Sequence, residues 1–204
     1  MHTKRAWLWW AVVLAAGCSG GNRGTAEEPE PLRNDPPKKE AAPTHSSPIA
    51  LTSDDRFVWS VNPDNDSVSV FEVANGANRE VAEIKVGKEP WCVAIKEDRN
   101  GGHDEVIAYV TNMASGTVSV IDGQRYKVIE TIQVGTEPFG CALTPDGKRL
   151  YVSNFSSDSV SVINTQSYRV TRTIEGVGSK PRGIAITADG KKVYVTQFLA
   201  VSRA

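Results

Sequence analysis

From about residue 46 onward, apolar and polar side chains alternate in short runs separated by turn residues. This is the period-two pattern of half-buried strands. One stretch shows the rhythm in full. Phe139 to Thr144 forms a first run, and Pro145-Asp146-Gly147-Lys148 turns the chain. Arg149 to Asn154 forms a second, followed by the polar loop Phe155-Ser156-Ser157-Asp158. Ser159 to Asn164 and Arg169 to Glu175 are the third and fourth. Four short strands joined by tight turns predict an antiparallel sheet.

The same pattern recurs along the chain. Ala50-Leu51, Ala94-Ile95, Ala142-Leu143 and Ala185-Ile186 mark its copies, spaced by 44, 48 and 43 residues. A period of this size predicts a radial or solenoidal repeat architecture. Each copy continues into a second signature: Val58-Trp59-Ser60-Val61-Asn62, Ala108-Tyr109-Val110-Thr111-Asn112, Leu150-Tyr151-Val152-Ser153-Asn154 and Val193-Tyr194-Val195-Thr196-Gln197. These segments resemble the YVTN-type, YncE-like family of β-propeller repeats, and the four letters stand unaltered in Tyr109 to Asn112. The resemblance implies an all-β fold of propeller blades, each a four-stranded antiparallel sheet.

Three copies carry all four runs and the last carries two, so the blades are expected at about 46–89, 90–137 and 138–180, with a half blade at 181–204. Propellers close with about 4–8 blades. The expectation is therefore an open array of about three and a half blades, either the N-terminal part of a longer protein or a reading frame that ended early. Length variation falls in connections: Glu97 to Glu105 lengthens one hairpin, Asn75-Gly76 another, and a bulge is expected near Gly176. The Ala column belongs on the innermost strands, where blades converge. The valine pairs Val68/Val70, Val118/Val120 and Val160/Val162 share one face, with Ser69, Ser119 and Ser161 on the other.

The first residues stand apart. His2, Lys4 and Arg5 precede the apolar run Ala6 to Ala16, too short to span a bilayer and suited to a signal peptide over residues 1–17. Leu14-Ala15-Ala16-Gly17-Cys18 resembles a bacterial lipobox, which implies lipidation of Cys18. Residues 18–45, rich in proline and charge, predict a flexible tether. Together they imply a lipid-anchored protein of the bacterial cell envelope, with Ser19 resembling outer-membrane sorting.

Composition narrows the chemistry. With 23 basic and 24 acidic residues and no basic patch, nucleic acid is not an expected partner. No haem-attachment, Gly-x-Ser-x-Gly or phosphate-loop sequence occurs. The three histidines, His2, His45 and His103, are too few for the copper sites of the nitrous oxide reductases, whose architecture these repeats resemble. Asp54, Asp98, Asp146 and Asp189 lack the clustered oxygens of a calcium site and read as turn residues. No metal or cofactor is expected. Cys92 and Cys141 occupy neighbouring columns of adjacent blades, so alternation is expected to point them apart, as buried free thiols.

The connections Val86 to Trp91, Val134 to Phe139 and Val177 to Arg182 should share one face with the loops that follow Asn62, Asn112, Asn154 and Gln197. Trp91, Phe139 and Arg182 follow three equivalent prolines and differ from copy to copy. They are the rim candidates for a protein partner or small ligand, against the plainer reading that they plug the channel. Asn112 and Asn154 join them as candidates, against a turn-stabilising role. The expected function is a lipid-anchored binding scaffold with no catalytic constellation. The alternative is the propeller part of a larger redox (haem-peroxidase-like) or hydrolytic protein whose catalytic domain lies beyond residue 204.

Overall fold

The computed structural model describes residues 44–76, 78–98 and 105–198, all within the compact unit Lys38–Ala204. The signal sequence, Cys18, His103 and residues 199–204 lie outside the described residues, as does the tether up to residue 43.

After a two-residue strand β1 (Thr44–His45) come three four-stranded antiparallel sheets in chain order. The first comprises β2 (Ile49–Leu51), β3 (Phe57–Asn62), β4 (Ser67–Glu72) and β5 (Arg79–Lys85). The second comprises β6 (Pro90–Asp98), β7 (Glu105–Asn112), β8 (Thr117–Asp122) and β9 (Lys127–Gln133). The third comprises β10 (Pro138–Leu143), β11 (Arg149–Asn154), β12 (Ser159–Asn164) and β13 (Arg169–Glu175). The last sheet holds β14 (Pro181–Ile186) and β15 (Val193–Gln197), with β1 paired to β14. Three blades and a half are thus present, and among the described residues no sheet closes on itself.

Three local expectations need correction. Thr44 and His45, placed in the tether, form a strand, because pairing with the free edge of β14 uses backbone groups and needs no apolar side chain. Asp98 is not in a turn, since β6 and β7 are lengthened and Asp98 pairs with Glu105. Gly176 is not a strand bulge; it lies just past β13 with φ +68.

Alternation buries both faces of the middle strands. Val68, Val70, Val118, Val120, Val160 and Val162 pack between sheets, and Ser69, Ser119 and Ser161 are buried opposite them. A buried hydroxyl needs a partner. The Asn column supplies it: Asn112 Nδ2 donates to Thr117 Oγ1 (3.0 Å) and Ser119 Oγ (2.9 Å). Asn154 does the same to Ser159 and Ser161, both at 3.0 Å, and Asn62 to Ser67 and Ser69. Each amide thereby staples the second strand to the third.

The residues before Asn112 and Asn154 each clasp one blade to the next. Thr111 Oγ1 accepts from Cys92 N–H (3.1 Å) and donates to Phe139 O of the following sheet (2.8 Å). Ser153 Oγ repeats this with Gly140 N–H (2.9 Å) and Arg182 O (2.5 Å). The inner strands approach so closely that a Cβ on Gly140 would stand 2.3 Å from Arg182 O.

At this approach Cys92 and Cys141 meet, with their sulfurs 2.8 Å apart. The expected divergence is corrected by geometry. The two side chains do leave opposite faces of their strands, but opposite faces of neighbouring stacked blades are the ones that confront each other.

The segment before β2 crosses the inner edges of all four sheets. Ser46 N–H donates to Ile184 O (2.8 Å), Thr44 Oγ1 donates to Leu143 O, Ser47 O accepts from Val93 N–H (2.9 Å), and Pro48 O accepts from Val61 N–H (3.1 Å).

Turns repeat as well. Asp146 Oδ1 accepts from Thr144 Oγ1 and Lys148 N–H, and Asp189 from Thr187 and Lys191. These bonds hold both carboxyls below their usual 3.8. For Asp122, burial pushes the pKa up, but bonds from the Arg125 N–H, its guanidinium and the Gln124 N–H outweigh it, leaving a net lowering. Asn164 accepts the equivalent two N–H bonds one blade on.

Two outcomes are expected. Thr111→Val leaves Cys92 N–H and Phe139 O unpaired in a buried place and should cost about 2 kcal/mol in urea unfolding. Thr111→Ser, which keeps the hydroxyl, should recover most of it. The lowered aspartates contribute stability that is present above 3.8 and lost as pH falls through their folded values. The urea midpoint should therefore hold from neutral pH to about pH 5 and fall below about pH 4. Asp122→Asn, which preserves the turn as Asn164 does, should weaken that acid dependence.

Candidate functional site

Each connection into an innermost strand ends on a left-handed residue followed by proline: Glu89-Pro90, Glu137-Pro138 and Lys180-Pro181, with φ of 51, 52 and 54. The carbonyls of Glu89, Glu137 and Lys180 accept from the N–H groups of Met113, Phe155 and Phe198. Those three residues directly follow the Asn or Gln that ends the second strand. The bonds tie two loops of each blade together on one face. Glycine is required behind them, because a Cβ on Gly135 would fall 2.6 Å from Asn154 Cγ, and one on Gly87 2.7 Å from Asn112 Cγ.

Just past each proline the pairing register slips, between Pro90 and Cys92, Pro138 and Cys141, and Pro181 and Ile184. A bulge re-aims the side chain at the slip. Trp91, Phe139 and Arg182 consequently converge from three blades. Trp91 and Phe139 stack with ring centroids 4.7 Å apart, and the Arg182 guanidinium lies 4.4 Å from the Phe139 centroid. The same guanidinium lies 4.6 Å from the Phe198 centroid and 5.6 Å from that of Phe155. Lys180 Nζ stands 5.1 Å from the Phe155 ring. The result is a row of rings in contact with two cations, the guanidinium over three of the aromatic faces.

Sequence reasoning singled out Trp91, Phe139 and Arg182, and the structure brings these three together. Asn112 and Asn154 are fully buried beneath them, with their amide nitrogens engaged in the strand staples. Phe155, Phe198 and Lys180 were not singled out. Their signal was positional: Phe155 and Phe198 are the residues after the Asn column, and Lys180 precedes its proline.

Two donors of the row have no acceptor. Arg182 Nε and Trp91 Nε1 are buried without hydrogen-bond partners, as is Asn112 Oδ1. No acid among the described residues is paired with Arg182, so it brings an uncompensated positive charge to the mouth. A separate cleft of about 270 Å³ opens on the opposite face between the first two blades, lined by Arg56, Trp59, Glu105 and Tyr126.

Comparison with known proteins accords with this geometry. Residues 100–198 match the family model of the seven-bladed β-propeller lactonases. A 43-residue stretch is 49% identical to the uncharacterized protein YncE of Salmonella typhi, covering 21% of this chain and 12% of that protein. The chain is a YncE-like propeller of the YVTN type.

Among solved structures, the hydrazine synthase of Kuenenia stuttgartiensis shares 25% identity with a TM-score of 0.58, over 73% of this chain and 48% of that one. A Bacteroides fragilis protein described as a candidate 6-phosphogluconolactonase shares 23% with a TM-score of 0.61, over 79% and 50%. This YncE-like propeller thus spans about half the length of the solved chains it resembles. The expectation that it has no part in catalysis is corrected by these findings: the matching family model is of lactonases, and a neighbour in fold is described as an enzyme of that type.

Proposed function

We propose that this chain supplies the ligand face of a lactonase-type propeller, and that the mouth around Arg182 takes a small oxygen-rich anion such as a sugar acid or its lactone. The observation that carries this reading is the pair of buried, unpartnered donors, Arg182 Nε and Trp91 Nε1. A buried donor left unpaired costs about 1–3 kcal/mol, which an acceptor oxygen on a ligand would recover. The guanidinium, packed against the Phe139 and Phe198 rings, offers that oxygen a positive charge. Apolar ring faces beside it suit the carbon skeleton of a sugar. In lactone opening, negative charge develops on the carbonyl oxygen, and a preorganised cation beside it stabilises that charge.

The test is calorimetric titration with gluconate, 6-phosphogluconate and gluconolactone. Binding is expected, and Arg182→Ala should weaken it about tenfold or more, since a charged hydrogen bond contributes about 1.5–3 kcal/mol. Trp91→Phe, which keeps the stack and removes only the N–H, should weaken it less. An affinity unchanged in both variants would refute the site.

The same reading extends to where the chain works. We infer that the propeller is held at the bacterial envelope by lipid on Cys18, a proposal supported by Leu14-Ala15-Ala16-Gly17-Cys18 at the end of an eleven-residue apolar run. Growth with labelled palmitate should mark the wild-type chain and leave Cys18→Ser unmarked. The variant should also leave the membrane fraction.

A further inference from the structure

We propose that Cys92 and Cys141 form a disulfide that locks the second blade to the third at their inner edges. The sulfurs stand 2.8 Å apart, and a bond of about 2.05 Å needs a shift of less than about 1 Å. The Cys92 sulfur already lies against the Cys141 backbone: Cys141 N–H donates to Cys92 Sγ at 3.1 Å, and Cys141 O lies 3.3 Å from the same sulfur. Cys92 replaces the glycine that stands at this position in the next two blades, Gly140 and Gly183. A larger side chain enters here only where the facing residue is also a cysteine. Both residues are buried, and no third metal-binding side chain accompanies them among the described residues.

The chemistry is a two-electron oxidation by thiol–disulfide exchange. Two S–H bonds and the S–S bond of an external small-molecule or protein disulfide break, and one S–S bond forms between the cysteines. The two electrons and two protons end on the external disulfide, which leaves as two thiols. A mixed disulfide formed at one cysteine is then resolved by the other. Since neither sulfur is accessible in the assembled fold, the exchange occurs as the two blades dock, and the finished bond is shielded from reductants.

The test refolds the full chain from denaturant in reduced and oxidised glutathione, blocks remaining thiols with N-ethylmaleimide, and digests with trypsin without reduction. The expected product joins the peptide 89–96 to the peptide 128–148, with no maleimide on either. The proposal is overturned if both peptides carry maleimide or glutathione, or if either is joined to the Cys18 peptide. The outcome does not depend on ligand binding or on lipidation, so those readings stand or fall separately.

Discussion

Every blade meets the next at its innermost strand, where two backbones approach so closely that little fits between them. A Cβ on Gly140 would stand 2.3 Å from the carbonyl of Arg182. Ordinary side chains are excluded, and the contact is made by hydroxyls that accept from one strand and donate to the next, Thr111 and Ser153. Hydrophobic burial between the valine faces is strong but permissive in direction. The hydroxyl clasp supplies the direction, because a hydrogen bond fixes both distance and angle. The glycine or cysteine column, the small alanines and the register slip after each proline all accommodate that one approach.

The same slip makes the site. A regular strand would send each of Trp91, Phe139 and Arg182 to a face of its own sheet. The bulge after each proline turns them instead toward the mouth, where rings from different blades stack and a guanidinium packs against them. The candidate site is thus a by-product of how blades are joined. That helps to explain how one architecture hosts unrelated chemistries: the frame fixes where these positions point and leaves their identity free.

Much of the frame was readable in the residues. The strands of the third copy other than β10 coincide with their expected runs, and β10 begins one residue early. Local alternation and turn chemistry determine such features, and both are written in adjacent residues. What escaped the reading depends on neighbours far away in sequence. The meeting of Cys92 with Cys141 requires knowing how two blades stack, since the direction of each side chain along its own strand says nothing of what faces it. Thr44 and His45 look like tether because their pairing with β14 is made by backbone alone. Phe155 and Phe198 joined the site through loop bonds to residues before prolines, a contact no local pattern announces. Asn112 and Asn154 show the opposite case: polar residues near a rim whose amide nitrogens are engaged in stapling strands.

The strap of residues 44–48 carries a consequence in time. Ser46 Oγ bonds to Ile184 N–H across 138 residues of chain, and Thr44 reaches Leu143 across 99. The second contact cannot exist until the first strand of the third blade has been synthesised, and the first not until nearly all of the described fold has been. Contacts of such long range carry a large loop-closure cost and slow the final step of folding. Individual blades, whose hairpins are local, form early. Their common axis is fixed last, when the first residues of the fold find the last.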